Sequence, residues 1–162
     1  MKEQKFTHLQ MIALVIMRVL IGWHFLYEGI AKLLKPSWSA AGFLMQSRGF
    51  FAPIFKWIAN TPQVLEIANQ MNIWGLIAIG LGLILGCFTR LASAAGIFLL
   101  LLFYLCTPLF VGYYYSIPME GHYLIVNKNL VEMAGLFVIA VTSSGQYMGI
   151  DRILHKLLQK KN

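Results

Sequence analysis

Six side chains able to hold or share protons sit inside apolar stretches of this sequence. Arg18, His24, Glu28 and Lys32 lie in the run 9–34, and Lys128 and Glu132 near the start of a later one. His24, Glu28 and Lys32 recur every four residues, so on a helix they form one stripe: imidazole, carboxylate and ammonium, a turn apart. Lys32 can neutralise Glu28 as an i, i+4 pair, and Lys128–Glu132 repeats that spacing. Such a set can donate and accept hydrogen bonds and pass protons. Each ionisable group costs a few kcal/mol within hydrocarbon unless it finds a partner or water. Lipid anchoring alone does not account for four in one segment.

Residue counting puts these groups at defined depths. If the first helix ends near Leu34 and the fourth begins near Asn127 at one membrane face, Glu28 and Glu132 both lie about 8–9 Å below it. Trp23, Tyr27 and the tyrosines at 113–115 can wall the same space. Arg18 lies deeper, about 24 Å from that face. There the fourth helix offers Thr142, Ser143 and Ser144, and the third offers Ser93, as hydroxyl partners for its five donors. The Arg18–Ser143 set is read as structural, as is Arg90.

The elements that must position these groups follow from composition. Of 162 residues 59% are hydrophobic and 12% charged, with a mean hydropathy of +0.69. Soluble domains carry about 25% charged residues, so the chain reads as an all-α integral membrane protein, a four-helix bundle in one domain. Spans are expected at about 9–34, 71–88, 91–108 and 127–145, since ~30 Å of hydrocarbon takes about 20 apolar residues. The first is too long in its apolar part for a cleavable signal and lacks a small-x-small site. Residues 35–70 form a half-polar connection in which Ser37 or Ser39 caps a short helix. Pro53 and Pro62 frame an aromatic piece suited to the membrane interface. In the second span Ala78, Gly82 and Gly86 have the small-xxx-small spacing of a helix-packing face. Thr89-Arg90 is expected as a tight turn, and residues 147–161 as a basic amphipathic helix on anionic lipid.

The net charge of +7 is assigned to topology rather than to nucleic acid. Seven of the 13 Lys and Arg (residues 2, 5, 90, 152, 156, 160 and 161) fall on the side shared by both termini and the turn near residue 89, against five on the other. That bias makes both termini cytoplasmic. Cys87 and Cys106 stand near opposite ends of adjacent spans, roughly 20 Å or more apart, too far for a disulfide.

The run Arg18-x-x-x-Gly22…Gly29-x-x-Lys32, with Gly82…Gly86-x-x-Thr89-Arg90, resembles the DoxX/DoxD family of small four-helix bacterial membrane proteins. The stretches Trp38-x-x-x-Gly42 and Glu120-Gly121-His122-Tyr123-Leu124…Asn127-Lys128-Asn129-Leu130-x-Glu132 are similar too. The resemblance spans about residues 14–145. Members related to DoxD are described as the small subunit of thiosulfate:quinone oxidoreductase. The resemblance therefore implies an inner-membrane protein linked to quinone redox or sulfur chemistry, often with a partner subunit; membrane lipids and a homo-oligomer are the other partners expected. The sequence has no CxxC, no His/Cys metal cluster and no Gly-rich nucleotide loop, so neither a metal nor a nucleotide cofactor is expected. A quinone would find polar groups in His24, Glu28, Lys32, Lys128 and Glu132, and ring walls in Trp23, Tyr27 and Trp38. Two other readings stay open: a non-catalytic scaffold that recruits a partner protein, and a small oligomeric transporter.

Overall fold

A computed structural model of the chain describes residues 6–107, 125–142 and 144–153. Among these are seven helices: α1 (His8–Leu33), α2 (Ala41–Met45), α3 (Ala52–Asn60), α4 (Pro62–Leu85), α5 (Thr89–Cys106), α6 (Lys128–Thr142) and α7 (Ser144–Tyr147). By length and composition α1, α4 and α5 can each cross a membrane. α6 covers residues 128–142 and α7 residues 144–147, with residue 143 between them outside the described residues.

The long helices are arranged by one close approach. α1 packs chiefly on α4, α4 on α5, and α5 on α6, with α6 touching α1 lightly. On α1, Arg18, Gly22, Phe25 and Gly29 are buried and form one stripe. A Cβ at Gly80 of α4 would lie 2.5 Å from the Leu26 nitrogen and 2.7 Å from the Gly22 oxygen. The two backbones touch because Gly80 has no side chain. Phe25, Leu76, Ile79, Leu83, Leu136 and Ile139 fill the space between the helices. The stripe Ala78–Gly82–Gly86 is not the face that meets α1. Ala78 is exposed, Gly82 faces Ala92 of α5, and Gly86 ends α4.

Two further expectations are corrected at the helix ends. α4 begins at Pro62, nine residues before the expected Met71. Proline suits the first helical position, where its missing N–H costs nothing. The opening turns carry Gln63, Glu66 and Gln70 exposed, which hides them from an apolar-run reading. Thr89 and Arg90 form the first turn of α5, with Thr89 buried and Arg90 exposed. The reversal lies just before them: Gly86 takes φ +65° and Phe88 φ +47°, the left-handed region that glycine enters at least cost. Of the expected C-terminal amphipathic helix, residues 150–153 are helical and the rest lies outside the described residues.

The end bearing this reversal is closed by the C-terminal segment. Asp151 accepts from the Phe88 and Thr89 amides at 2.7 and 2.9 Å and donates its own N–H to the Gly86 carbonyl at 2.9 Å. A carboxylate on free amides at a helix start is favourable in both hydrogen bonding and dipole. Arg18, only 2% exposed, donates to the Met148 carbonyl at 2.6 Å and feels the Asp151 charge. Met148 is its hydrogen-bond partner among the described residues, while Arg18 Nε and Nη1 and the Oγ of Ser93 and Ser144 are buried without one and the Thr142 hydroxyl donates to the Val138 carbonyl. Ser143 lies outside the described residues.

At the opposite end α2 and α3 fold over the bundle. Leu44, Phe55 and Cys106 form a second small core, and the Arg48 amide donates to the Cys106 carbonyl at 3.3 Å. Ser39 Oγ accepts from the Ala41 amide at 3.2 Å, but the N-cap position of α2 is Ala40, so neither Ser37 nor Ser39 is the cap.

Gly80→Ala should lower the thermal midpoint in detergent, with a cost of about 1–3 kcal/mol as α1 is pushed off α4. Gly75→Ala, whose Cβ meets nothing within 4 Å, should leave the midpoint unchanged or raised. Asp151→Ala should cost about 1 kcal/mol by the same measurement, and Asp151→Asn less.

Candidate functional site

At the α2–α3 end the helices splay to enclose a cavity of about 690 Å³. Its polar lining includes His24, Glu28 and Lys32 from α1, Asn72 from α4, and Lys128 and Glu132 from α6. Phe25, Trp38, Phe43 and Phe103 supply aromatic wall. Helical spacing explains the α1 contribution. At 100° per residue, the stripe 24–28–32 lies about 90° round the helix from the buried stripe that grips α4. It therefore faces the interior mouth toward α6.

Two charge pairs furnish the cavity. Lys32 Nζ is 3.1 Å from Glu28 Oε2 and stands over the Trp38 and Phe103 rings, 5.6 and 6.0 Å from their centroids. His24 Nδ1 lies 2.8 Å from Glu132 Oε1 across the α1–α6 seam, off the axis of a well-aligned hydrogen bond. Glu132 Oε2 and Asn72 Oδ1 are buried without a hydrogen-bond partner. Glu132 thus pairs with His24 on another helix, while the Lys128 charge acts on Glu28.

The remaining wall is the segment 37–46, held by a residue the sequence reading did not single out. Asn69, buried on α4, accepts from the Ala40 amide at 2.9 Å and donates to Ser39 Oγ at 3.5 Å. Asn127, also buried, accepts from the Leu130 amide at 3.0 Å and caps α6, which fixes the height of Glu132. A sequence signal existed for Asn127, an asparagine directly before a helical run; Asn69 lies eight residues into α4 and carries no such signal.

Not every expected residue belongs to the cavity. Trp23 and Tyr27 are 61% and 62% exposed and point away from it. Tyr27 is adjacent to Glu28 in sequence, but one residue is 100° of rotation, which carries it to the outer face. Trp38 does line the cavity. The tyrosines 113–115, Glu120 and His122 lie outside the described residues. Among the described residues no group of three His, Cys, Asp or Glu side chains could hold a metal ion, and Cys87 and Cys106 are free thiols.

The DoxX family model matches residues 13–108, more than half of the chain. The chain belongs to the DoxX family. No curated protein and no solved structure matches it. With three helices apolar and long enough to cross a bilayer, it is a DoxX membrane protein. The DoxX match takes in the α1 stripe, Trp38 and Asn69. It ends before α6, so Lys128 and Glu132 join the site from beyond the matched segment.

Asn69→Leu should release the 37–40 wall while the long helices stay intact. The expected signature is faster hydrogen–deuterium exchange at Ala40, by about tenfold or more, since a buried amide hydrogen bond is worth ~1–3 kcal/mol when its partner is removed.

Proposed function

We propose that the cavity binds the headgroup of a lipid-soluble quinone, and that the chain serves as the membrane subunit of a quinone-linked redox system. The observation that carries this reading is an amphipathic cavity of about 690 Å³ in a bundle of apolar helices. Its size falls in the ~300–1,000 Å³ range of small-molecule sites, which pair apolar walls with a few placed polar groups. Trp38 and Phe103 offer faces to a flat ring, and Lys32, already beside both rings, offers a cationic donor to a carbonyl oxygen. His24 and Glu132 provide a proton-holding pair at the same cavity. A bound quinone supplies two-electron, two-proton redox chemistry. The protein's part is to seat the ring, polarise its oxygens and exchange protons. With no CxxC and no nucleotide loop in the sequence, electrons come from a partner subunit.

In this reading the protein lies in the inner membrane with α6 in a fourth crossing and both termini cytoplasmic. The seven basic residues on that side support the orientation. The quinone site then opens toward the outer leaflet, where the exposed Phe50, Ile54 and Trp57 of the α2–α3 region meet the lipid interface.

Trp38 is a built-in reporter once Trp23, Trp57 and Trp74 are replaced by Phe. Titration with a short-chain benzoquinone should quench its fluorescence saturably. Lys32→Met should raise the Kd about tenfold, the equivalent of ~1.4 kcal/mol, while Tyr27→Phe should not change it. Unsaturable quenching, together with only phospholipid in the gently purified protein by mass spectrometry, overturns the reading.

A further inference from the structure

The short contact between His24 and Glu132 bears on which form of ligand the cavity prefers. Imidazole nitrogens are not equivalent: in the neutral ring one carries a proton and the other a lone pair. An unprotonated Nδ1 would oppose its lone pair to a carboxylate oxygen only 2.8 Å away. A proton on Nδ1 removes that opposition and faces the carboxylate as a charge contact, its N–H lying off the axis of a hydrogen bond. In the neutral ring that leaves Nε2 as a basic nitrogen, on a side chain that lines the cavity and is 31% exposed. The other groups around it are Glu28 and Lys32 on α1, Asn72 on α4 and Lys128 on α6. Glu28 already engages Lys32, and Glu132 engages His24 through one oxygen and buries the other.

We propose that Glu132 is a positioning residue that holds the His24 proton on Nδ1, making Nε2 the acceptor for a hydroxyl of the reduced, 1,4-dihydroxy form of the ligand. This rests on the reading of the cavity as a quinone site. In the step assigned to the pair, the ligand O–H bond breaks and an Nε2–H bond forms. The electron pair stays on the ligand oxygen, and the imidazolium is stabilised by Glu132. No electron moves in this step. The oxidised form has no hydroxyl proton to give and gains nothing from Nε2, so the site discriminates between the two forms by one hydrogen bond to a charged or strongly polar partner.

The test compares a short-chain benzoquinone with its dihydroxy form, kept anaerobic, using the Trp38 reporter. The wild-type site should bind the dihydroxy form about tenfold more tightly. Glu132→Gln should bring the ratio to one or below, because a glutamine amide can donate to Nδ1 and move the proton to Nε2, which then donates to a carbonyl of the oxidised form and no longer accepts from the dihydroxy form. Glu132→Asp should restore the preference. Nitrogen-15 spectra of histidine-labelled protein, with His24→Gln to assign the signal among the four histidines, should show the Nδ1–H tautomer in wild type and Nε2–H in Glu132→Gln. Equal affinity for the two forms in wild type, or a preference that survives Glu132→Gln, overturns the proposal while leaving quinone binding in place. Binding of neither form overturns the quinone reading itself, and this inference with it.

Discussion

Two helices can approach backbone to backbone only where neither places a side chain between them, and the contact of Gly80 with Gly22 and Leu26 is that point here. In lipid no water is squeezed out when helices meet, so the gain comes from close packing itself. The contact fixes the rotation of α1 about its own axis. With Gly22, Phe25 and Gly29 turned to α4, the stripe of His24, Glu28 and Lys32 cannot point to lipid, and Trp23 and Tyr27 cannot point inward. The polar chemistry of the cavity follows from a constraint made entirely of small apolar residues.

The two ends of the bundle are finished in different ways. At one, Asp151 accepts from the Phe88 and Thr89 amides at the start of α5, and the carbonyl of Met148 accepts from one nitrogen of the Arg18 guanidinium, tying the C-terminal segment to α1 and α5. At the other, the helices part, and the space is roofed by a short segment held through Asn69. Among the described residues one end of the bundle is closed by hydrogen bonds and the other holds the cavity. This arrangement suits a DoxX protein whose apolar exterior lies in a bilayer.

The charges within the cavity are compensated within the protein. Lys32 neutralises Glu28 on its own helix, and Glu132 reaches His24 on another. Pairing removes much of the cost of placing ions at this depth, while leaving donors and acceptors that can still turn to a ligand. The His24–Glu132 contact also bridges α1 and α6, which otherwise touch lightly. The bridge that closes the seam is therefore part of the chemistry of the site.

Much of this was legible without coordinates. The apolar runs marked α1 and α5 closely, because hydrocarbon thickness and helical rise leave little choice of length. The four-residue recurrence of His24, Glu28 and Lys32 placed them on one face, because helical geometry is local. The Lys32–Glu28 pair lies within one turn and needed nothing more. What lay beyond the sequence depended on rotation and on distant segments. Lys128 and His24 both stand as candidate partners for Glu132, and only the placement of α1 against α6 selects His24. The start of α4 at Pro62 was hidden by polar residues that project beyond the apolar core. Asp151, more than sixty residues from the amides it caps, has no local signal, because hydrogen bonds between remote segments leave no periodicity behind. The sequence alone determined which groups would be costly to bury; the tertiary structure decided which of them would meet, because that depends on how each helix is turned by its closest neighbour.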